Sequence, residues 1–547
     1  MTVIEHVLSR LNAIGITDVF GVPGDFAFPL NDAISMDPKM RWIGCCNELN
    51  AAYAADGYAR VKGVGAICTT YGVGELSALA GIAGSYAEHL PVFHLVGAPS
   101  MTVQAGRALM HHTLGNGEYD LFHTMAKSAV CASAILTPQN VAYETERLIA
   151  EALYHRRPVY MAFPADLANQ SVLGGAQPIC MPRSEPGSLA AARDAIVSAL
   201  SKSDSACILP GILVARTGLR SRLLDLVDAS GLPFATMFMA KSVLDEQHPS
   251  YIGMYDGKLM NHGIREFVEG CDGVLAIGTL FTDFNTGAFT ANIDPDKLIS
   301  IAHHRVHVGS KVYPNVEMGD LLVALAERMP KRNNWGANVA PVSLGSPAGT
   351  GGDPITADAL YPRWANFLEP GDVLVAETGT ASMGLGFARM PSRASFHNQT
   401  LWGSIGWATP AAFGAAVAAP DRRVVLVTGD GAHQVTAQEI SQFGRRGLRP
   451  IIFVLSNSGY LIERLLCKDP AMAYNDIAPW SYADLPKALG CCDWFTARVD
   501  TCGKLDQALD MAARAKSGVY IEVVTDPYAA SPLALKLHEC LQSLCES

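Results

Sequence analysis

Strand-like apolar runs alternate with helix-like segments over most of this chain. A run such as Val424-Val425-Leu426-Val427-Thr428 is apolar or β-branched throughout. It suits a strand buried on both faces, and such strands belong to parallel sheets covered by helices. The alternation therefore predicts an α/β fold of doubly wound parallel sheets. A chain of 547 residues is too long for one core, and about three to four domains of ~150 residues are expected. Two stretches interrupt the pattern. Residues 167–188 are rich in Gly, Pro and Ser, and 331–356 hold Pro341, Gly345, Pro347, Gly349, Gly351, Gly352 and Pro354. Read as linkers, they leave three doubly wound units at 1–166, 189–330 and 357–547.

The formal net charge of −11 comes without a compensating Lys/Arg cluster. That argues against a nucleic-acid or anionic-membrane partner. The apolar stretches are too short or too interrupted to span a bilayer. At the N-terminus, Glu5, His6 and Arg10 break the pattern of a signal peptide. The 13 cysteines form no C-x-x-C pair, and Cys45-Cys46 and Cys491-Cys492 are adjacent. Reduced thiols and a cytoplasmic location are expected.

The strongest local signal is the strand at Val424–Thr428, followed at once by Gly429-Asp430-Gly431 and a segment, Ala432 to Arg446, that reads as a helix ended by Gly447. A strand, a glycine turn and a helix start together make a phosphate cradle, to which Gly431 lets the backbone approach closely. A second apolar strand, Ile451 to Leu455, runs into Ser456-Asn457-Ser458-Gly459-Tyr460. Parallel strands end on the same edge, so Asp430 and Asn457 can meet there. A carboxylate, an amide oxygen and a backbone carbonyl are hard ligands of the kind Mg2+ takes alongside phosphate oxygens and water. Either motif alone is a common turn. The pair across two strand ends is more specific.

This pair resembles the motif of thiamine-diphosphate enzymes, with Ser456 standing where the family usually has a first Asn. The resemblance covers essentially the whole chain and implies the thiamine-diphosphate-binding fold. Residues 1–166 would bind the pyrimidine, 189–330 would form a central domain, and 357–547 would bind the diphosphate and Mg2+. It implies that Asp430, Asn457 and the Gly459 carbonyl hold Mg2+, with Gly431 and Ala432 beside the diphosphate. Glu48, at the start of an Ala-rich helix reaching Arg60, would be the carboxyl that protonates the cofactor's pyrimidine. Such an acid belongs in an apolar place, where desolvation favours the protonated form. Gly403 and Ile405, within Leu401-Trp402-Gly403-Ser404-Ile405-Gly406-Trp407, match the segment that binds the pyrimidine and bends the cofactor. Thr378 and Thr380, within Glu377-Thr378-Gly379-Thr380, match the preceding loop.

Four further ionisable residues resemble the set of pyruvate, indolepyruvate, phenylpyruvate and branched-chain 2-oxo acid decarboxylases. They are Asp25 in Gly21-Val22-Pro23-Gly24-Asp25, His111 and His112 in His111-His112-Thr113-Leu114-Gly115-Asn116-Gly117, and Glu463 after Gly459-Tyr460. Asp283-Phe284-Asn285-Thr286-Gly287 is also decarboxylase-like, and Tyr474-Asn475-Asp476-Ile477 with Trp480 resembles the indolepyruvate, phenylpyruvate and branched-chain branch. The implied reaction converts a 2-oxo acid to an aldehyde and CO2. Glu463 would orient the substrate, and Asp25, His111 and His112 would relay a proton. Acetolactate synthases, the rival carboligases, share the cofactor motifs but lack the His pair and this Glu. A non-catalytic cofactor-binding scaffold is a second alternative, against which the retention of Glu48 and Glu463 speaks. By resemblance, Phe284, Ser382, Met383, Ile462 and Leu466 line the substrate pocket. A C-terminal helix, about Pro532 to Cys545, places His538 and Gln542 near the entrance. The small Ser382 favours an aromatic or medium-to-long aliphatic 2-oxo acid over pyruvate. The family pattern also implies a homodimer or homotetramer with active sites between subunits.

Overall fold

The computed structural model describes residues 1–339 and 343–545, with 540–545 as backbone. Pro341 and the Gln542 side chain therefore lie outside the described residues. Three sheets follow one another along the chain. The first orders its strands Arg41–Gly44, Asp18–Gly21, Gly65–Thr70, Val92–Ala98, Val159–Pro164 and Ala132–Ile135. The third orders them Ser395–His397, Val373–Ala376, Val424–Gly429, Ile451–Ser456, Val519–Val524 and Phe495–Val499. In chain order both read second, first, third, fourth, sixth, fifth, and every pairing in them is parallel. The middle sheet is parallel from Tyr251–Met254 to Leu298–Ile301. It then adds Arg305–Val308 and Lys311–Pro314 as an antiparallel edge, a departure from a purely parallel sheet. A three-residue connection from Ile301 to Arg305 is too short for a crossover helix, so the chain can only turn back on itself.

In the first and third sheets the strand order reverses beside the first strand. That switch point opens a crevice at the carboxyl ends of the strands, where ligands bind in such folds. Asp25 and Glu48 follow strand ends of the first sheet, and Glu377 and Asp430 follow strand ends of the third.

The helices Glu48–Lys62 and Ala408–Ala418 join these two sheets into one core. Every residue of the second helix is buried. Glycines let the backbones touch. A Cβ on Gly414 would stand 1.8 Å from the Ala54 carbonyl oxygen, and one on Gly57 would stand 2.1 Å from that of Ala411. Backbone cannot yield as a side chain can. Gly414→Val is therefore expected to cost about 3 kcal/mol or more and to lower the thermal unfolding midpoint by roughly 3–4 °C or more, read by scanning calorimetry. An unchanged midpoint would refute this account of the interface.

A buried ionic network sits nearby. Arg60 donates to Asp56 at 2.7 Å, to Glu88 at 3.3 Å and to the Asn398 carbonyl at 2.8 Å. Glu88 accepts the Leu401 N–H at 2.7 Å and the Trp402 N–H at 3.3 Å. The Glu88 carbonyl accepts from Arg216 at 2.9 Å. The network thus ties all three segments to the loop that carries Gly403 and Ile405. Among the described residues no helix is long and apolar enough to cross a membrane.

Candidate active site

The sharpest geometry is at Asp430. Its Oδ1 accepts the Gly431 N–H at 2.8 Å, and its Oδ2 accepts those of Asn457 at 2.9 Å and Ser458 at 2.7 Å. Burial nonetheless pushes the carboxyl up to about 6, with the surrounding N–H groups pulling the other way. One amide atom of Asn457 lies 2.8 Å from the Gly459 carbonyl oxygen and 3.2 Å from Asp430 Oδ1. With the amide nitrogen turned to this corner, it donates to both. With the oxygen turned there, three oxygens face one another and call for a cation. Ligands about 2.1 Å from Mg2+ at right angles stand about 3 Å apart, so the residues fit this ion.

Arg464 holds the loop. It donates to the Asn457 carbonyl at 3.1 Å and the Ser458 carbonyl at 2.7 Å. Arg464 adjoins Glu463 in the chain. Its described bonds go instead to this loop, to Pro527 and to Asp476, and Glu463 is exposed. A Cβ on Gly459 would meet Arg464 at 2.3 Å and the Asn475 carbonyl at 2.4 Å, so no larger residue fits. A polar cavity of 350 Å³ opens beside Asp430, with Ser456, Ser458, Trp480 and Tyr482 in its walls.

The helix expected from Ala432 to Arg446 is broken. It runs Asp430–Thr436, passes through a 3-10 turn, and resumes as Ile440–Arg445. The break falls at Val435-Thr436, two β-branched residues. There the Thr436 hydroxyl donates to the Gly406 carbonyl at 2.6 Å. The same break lets the Glu439 carboxylate accept from Asn50 at 2.7 Å, in the helix that Glu48 begins.

Gly403 and Gly406 take positive φ, 65° and 82°. Between them the Ser404 N–H donates to Gln399 Oε1 at 2.9 Å, and the Ser404 and Tyr53 hydroxyls are 2.8 Å apart. Leu401, Trp402 and Ile405 are 43%, 42% and 37% exposed. Thr378 can donate to the Gln399 carbonyl at 3.4 Å, and Thr380 is buried. Glu377, fully buried between these loops, was not singled out from sequence. Burial pushes it up to about 7. Its only sequence signal is its place at a strand end in the switch-point crevice.

In the first segment Asn47 caps the helix Glu48–Lys62, its side chain accepting the Asn50 N–H. Burial raises the Glu48 carboxyl above its ordinary value, opposed by its own N–H and the Ser77 hydroxyl. Asp25 Oδ2 lies 2.6 Å from His111 Nε2, and Asp25 Oδ1 lies 3.8 Å from His112 Nδ1. Phe26 stacks on His111 with ring centroids 4.9 Å apart. Burial raises the Asp25 carboxyl, but the bonds from His111 and Phe26 and the two imidazoles outweigh it, and the net shift is downward. Among the described residues no hydrogen bond or ion pair joins Asp25, Glu48, His111 or His112 to Asp430, Asn457 or Glu463.

An apolar cavity of 450 Å³ is lined by Phe284, Met383, Ile462 and Leu466. Phe238, Leu259, Phe289, Leu533 and Leu537 also line it and were not anticipated, because nothing local marks them. Ser382 is buried, and its hydroxyl donates to the Gly379 carbonyl at 3.1 Å. His538 is half-buried on the helix Pro532–Cys545, one residue beyond the lining Leu537.

Residues 1–119 match the thiamine pyrophosphate enzyme N-terminal TPP binding domain, 193–328 the central domain, and 377–523 the C-terminal TPP binding domain. Fold and site thus define a thiamine pyrophosphate enzyme. The chain is 40% identical over 532 residues to an alpha-keto-acid decarboxylase of Mycobacterium leprae, covering 96% of this chain and 92% of the relative. It is 39% identical over 537 residues to that of Mycobacterium ulcerans, covering 97% and 94%. A Mycobacterium tuberculosis homologue is 39% identical over 529 residues, covering 96% and 94%. The chain belongs to the thiamine-diphosphate-dependent 2-oxo acid decarboxylase family.

Proposed function

We propose that this enzyme converts aromatic or branched, medium-to-long-chain 2-oxo acids to the aldehyde and CO2, using thiamine diphosphate and Mg2+. The observation that carries the substrate reading is the 450 Å³ apolar cavity, one wall of which adjoins the cofactor loop. Ile462 lies 3.8 Å from the Cβ position of Gly379. A volume of that order suits a ring or long alkyl chain better than the methyl group of pyruvate.

Thiamine diphosphate, when bound, supplies an electron sink for the carbon that loses CO2. In this reading Asp430, Asn457 and the Gly459 carbonyl hold the metal, and Gly431 and Ala432 adjoin the diphosphate. Thr378, Thr380, Gly403 and Ile405 bind and bend the pyrimidine end. Glu48 holds a proton toward the pyrimidine ring nitrogen, which its raised affinity for protons favours. Glu463 orients the substrate carboxylate. Asp25, His111 and His112 move a proton to the carbon that becomes the aldehyde. The largely hydrocarbon walls of the cavity favour a step that disperses charge.

The site is proposed to form between two subunits of a homodimer or of a tetramer of two dimers. The exposed Leu401, Trp402 and Ile405 support this, because a partner subunit can cover them. Reduced cysteines support the cytoplasmic location, and the described cysteines are free thiols.

The test is a coupled aldehyde assay with pyruvate, 2-oxoisovalerate, 2-oxohexanoate, phenylpyruvate and indolepyruvate. Cofactor-dependent aldehyde release, fastest with the larger side chains, is expected. Release from none of the five would put carboligation first, and pyruvate as the best substrate would refute the cavity argument. In the same assay Asp25→Asn is expected to lower kcat by about 100-fold with cofactor binding retained.

A further inference from the structure

Two carboxylates line the apolar cavity, Asp256 and Asp283. Asp283 is exposed and meets water. Asp256, just beyond the strand Tyr251–Met254, is 3% exposed. Its Oδ1 accepts long contacts from the Met260 and Asn261 N–H groups, both 3.5 Å. Its Oδ2 is buried and has no partner. The NH2 group of nearby Asn261 is engaged elsewhere, donating to the Met254 carbonyl at 2.7 Å, and its Oδ1 is a second buried acceptor with no donor. Among the described residues no cation pairs with Asp256 either. The remaining walls are largely hydrocarbon, including Leu259, Phe284, Met383 and Ile462.

Met383 and Ile462 come from the cofactor-binding segment, and Asp256 comes from the middle segment. A buried acceptor without a donor is costly, and a ligand in the adjoining cavity that donates to it would relieve that cost. Burial pushes this carboxyl up to about 7, and neutral or ionised it keeps an acceptor oxygen.

We infer that Asp256 is a specificity-determining residue whose Oδ2 receives an N–H or O–H carried on the side chain of the 2-oxo acid. The enzyme then prefers substrates with a side-chain donor, such as a phenolic or indolic ring, over hydrocarbon side chains of the same size. The inference rests on the proposed use of this cavity for the substrate side chain.

The test compares kcat/KM for 4-hydroxyphenylpyruvate and 4-methylphenylpyruvate, which differ in the donor and hardly in shape. The wild type is expected to favour the hydroxylated compound by about 10- to 100-fold. Asp256→Asn keeps an oxygen for the Met260 and Asn261 amides but can present an NH2 group where Oδ2 stood. It is expected to reduce the ratio at least about tenfold, and Asp256→Leu to move it the same way. A wild-type ratio near or below one overturns the inference without recourse to a variant. So does an unchanged ratio in Asp256→Asn that is folded by circular dichroism. Failure of the wild type to process either compound overturns the cavity assignment itself, and the inference with it.

Discussion

Glu48→Gln is expected to lower aldehyde release by roughly 1,000-fold or more while leaving the fold and the assembly intact. The substitution is nearly isosteric, and the Asn47 cap that starts the helix is untouched. What changes is the proton. The wild-type carboxyl is raised by burial and so is ready to carry one toward the pyrimidine, whereas an amide has no proton to exchange in this range. Single-turnover assays at saturating cofactor read the effect, and circular dichroism checks the fold. Activity within tenfold of wild type would remove Glu48 from the catalytic role.

Asp430→Ala is expected to weaken cofactor retention by about 100-fold or more. The carboxylate does two things at once. It offers an oxygen to the proposed metal, and it accepts the N–H groups that set the positions of Asn457 and Ser458. Cofactor binding followed by fluorescence or calorimetry measures the loss. Dialysis of the wild type against EDTA should reproduce it, with recovery on adding Mg2+. Retention of tight binding in Asp430→Ala would contradict the assignment of the oxygen corner.

These two variants also test the shared site. Each is inactive alone, but a mixed dimer carries one intact pair of Glu48 and Asp430 if the pair spans two subunits. Random assortment of co-expressed chains should restore roughly a quarter of wild-type activity. No restoration in verified mixed dimers would place both residues in one chain's site.

The site elements legible in the sequence are those whose signal is local. Val424–Thr428 reads as a buried strand because each residue is apolar or β-branched, and Gly429-Asp430-Gly431 marks the turn at its end. Asn457 lies just past the next strand, and parallel pairing of those strands is enough to bring it to Asp430. Glu48 stands at the start of an Ala-rich run that reads as a helix. In each case the deciding partners lie within a few residues, or are fixed by the parallel order that alternating strands and helices impose.

Tertiary structure decided the rest. Whether the helix after Asp430 continued depended on the Gly406 carbonyl, to which Thr436 donates. Arg60, Asp56 and Glu88 look like ordinary helix charges until folding closes water out and leaves them one another and the Leu401–Trp402 backbone. Asp256 sits in a stretch with no motif, and only the packing of three distant segments turns its carboxyl into a lone acceptor in an apolar cavity. Periodicity and turn chemistry act over short range, so they were enough for the parallel sheets of the first and third segments and for the turn at Asp430, and the family resemblance of the motifs pointed to the cofactor class. What a buried polar atom faces is set by residues hundreds of positions away, and only the folded chain could decide that.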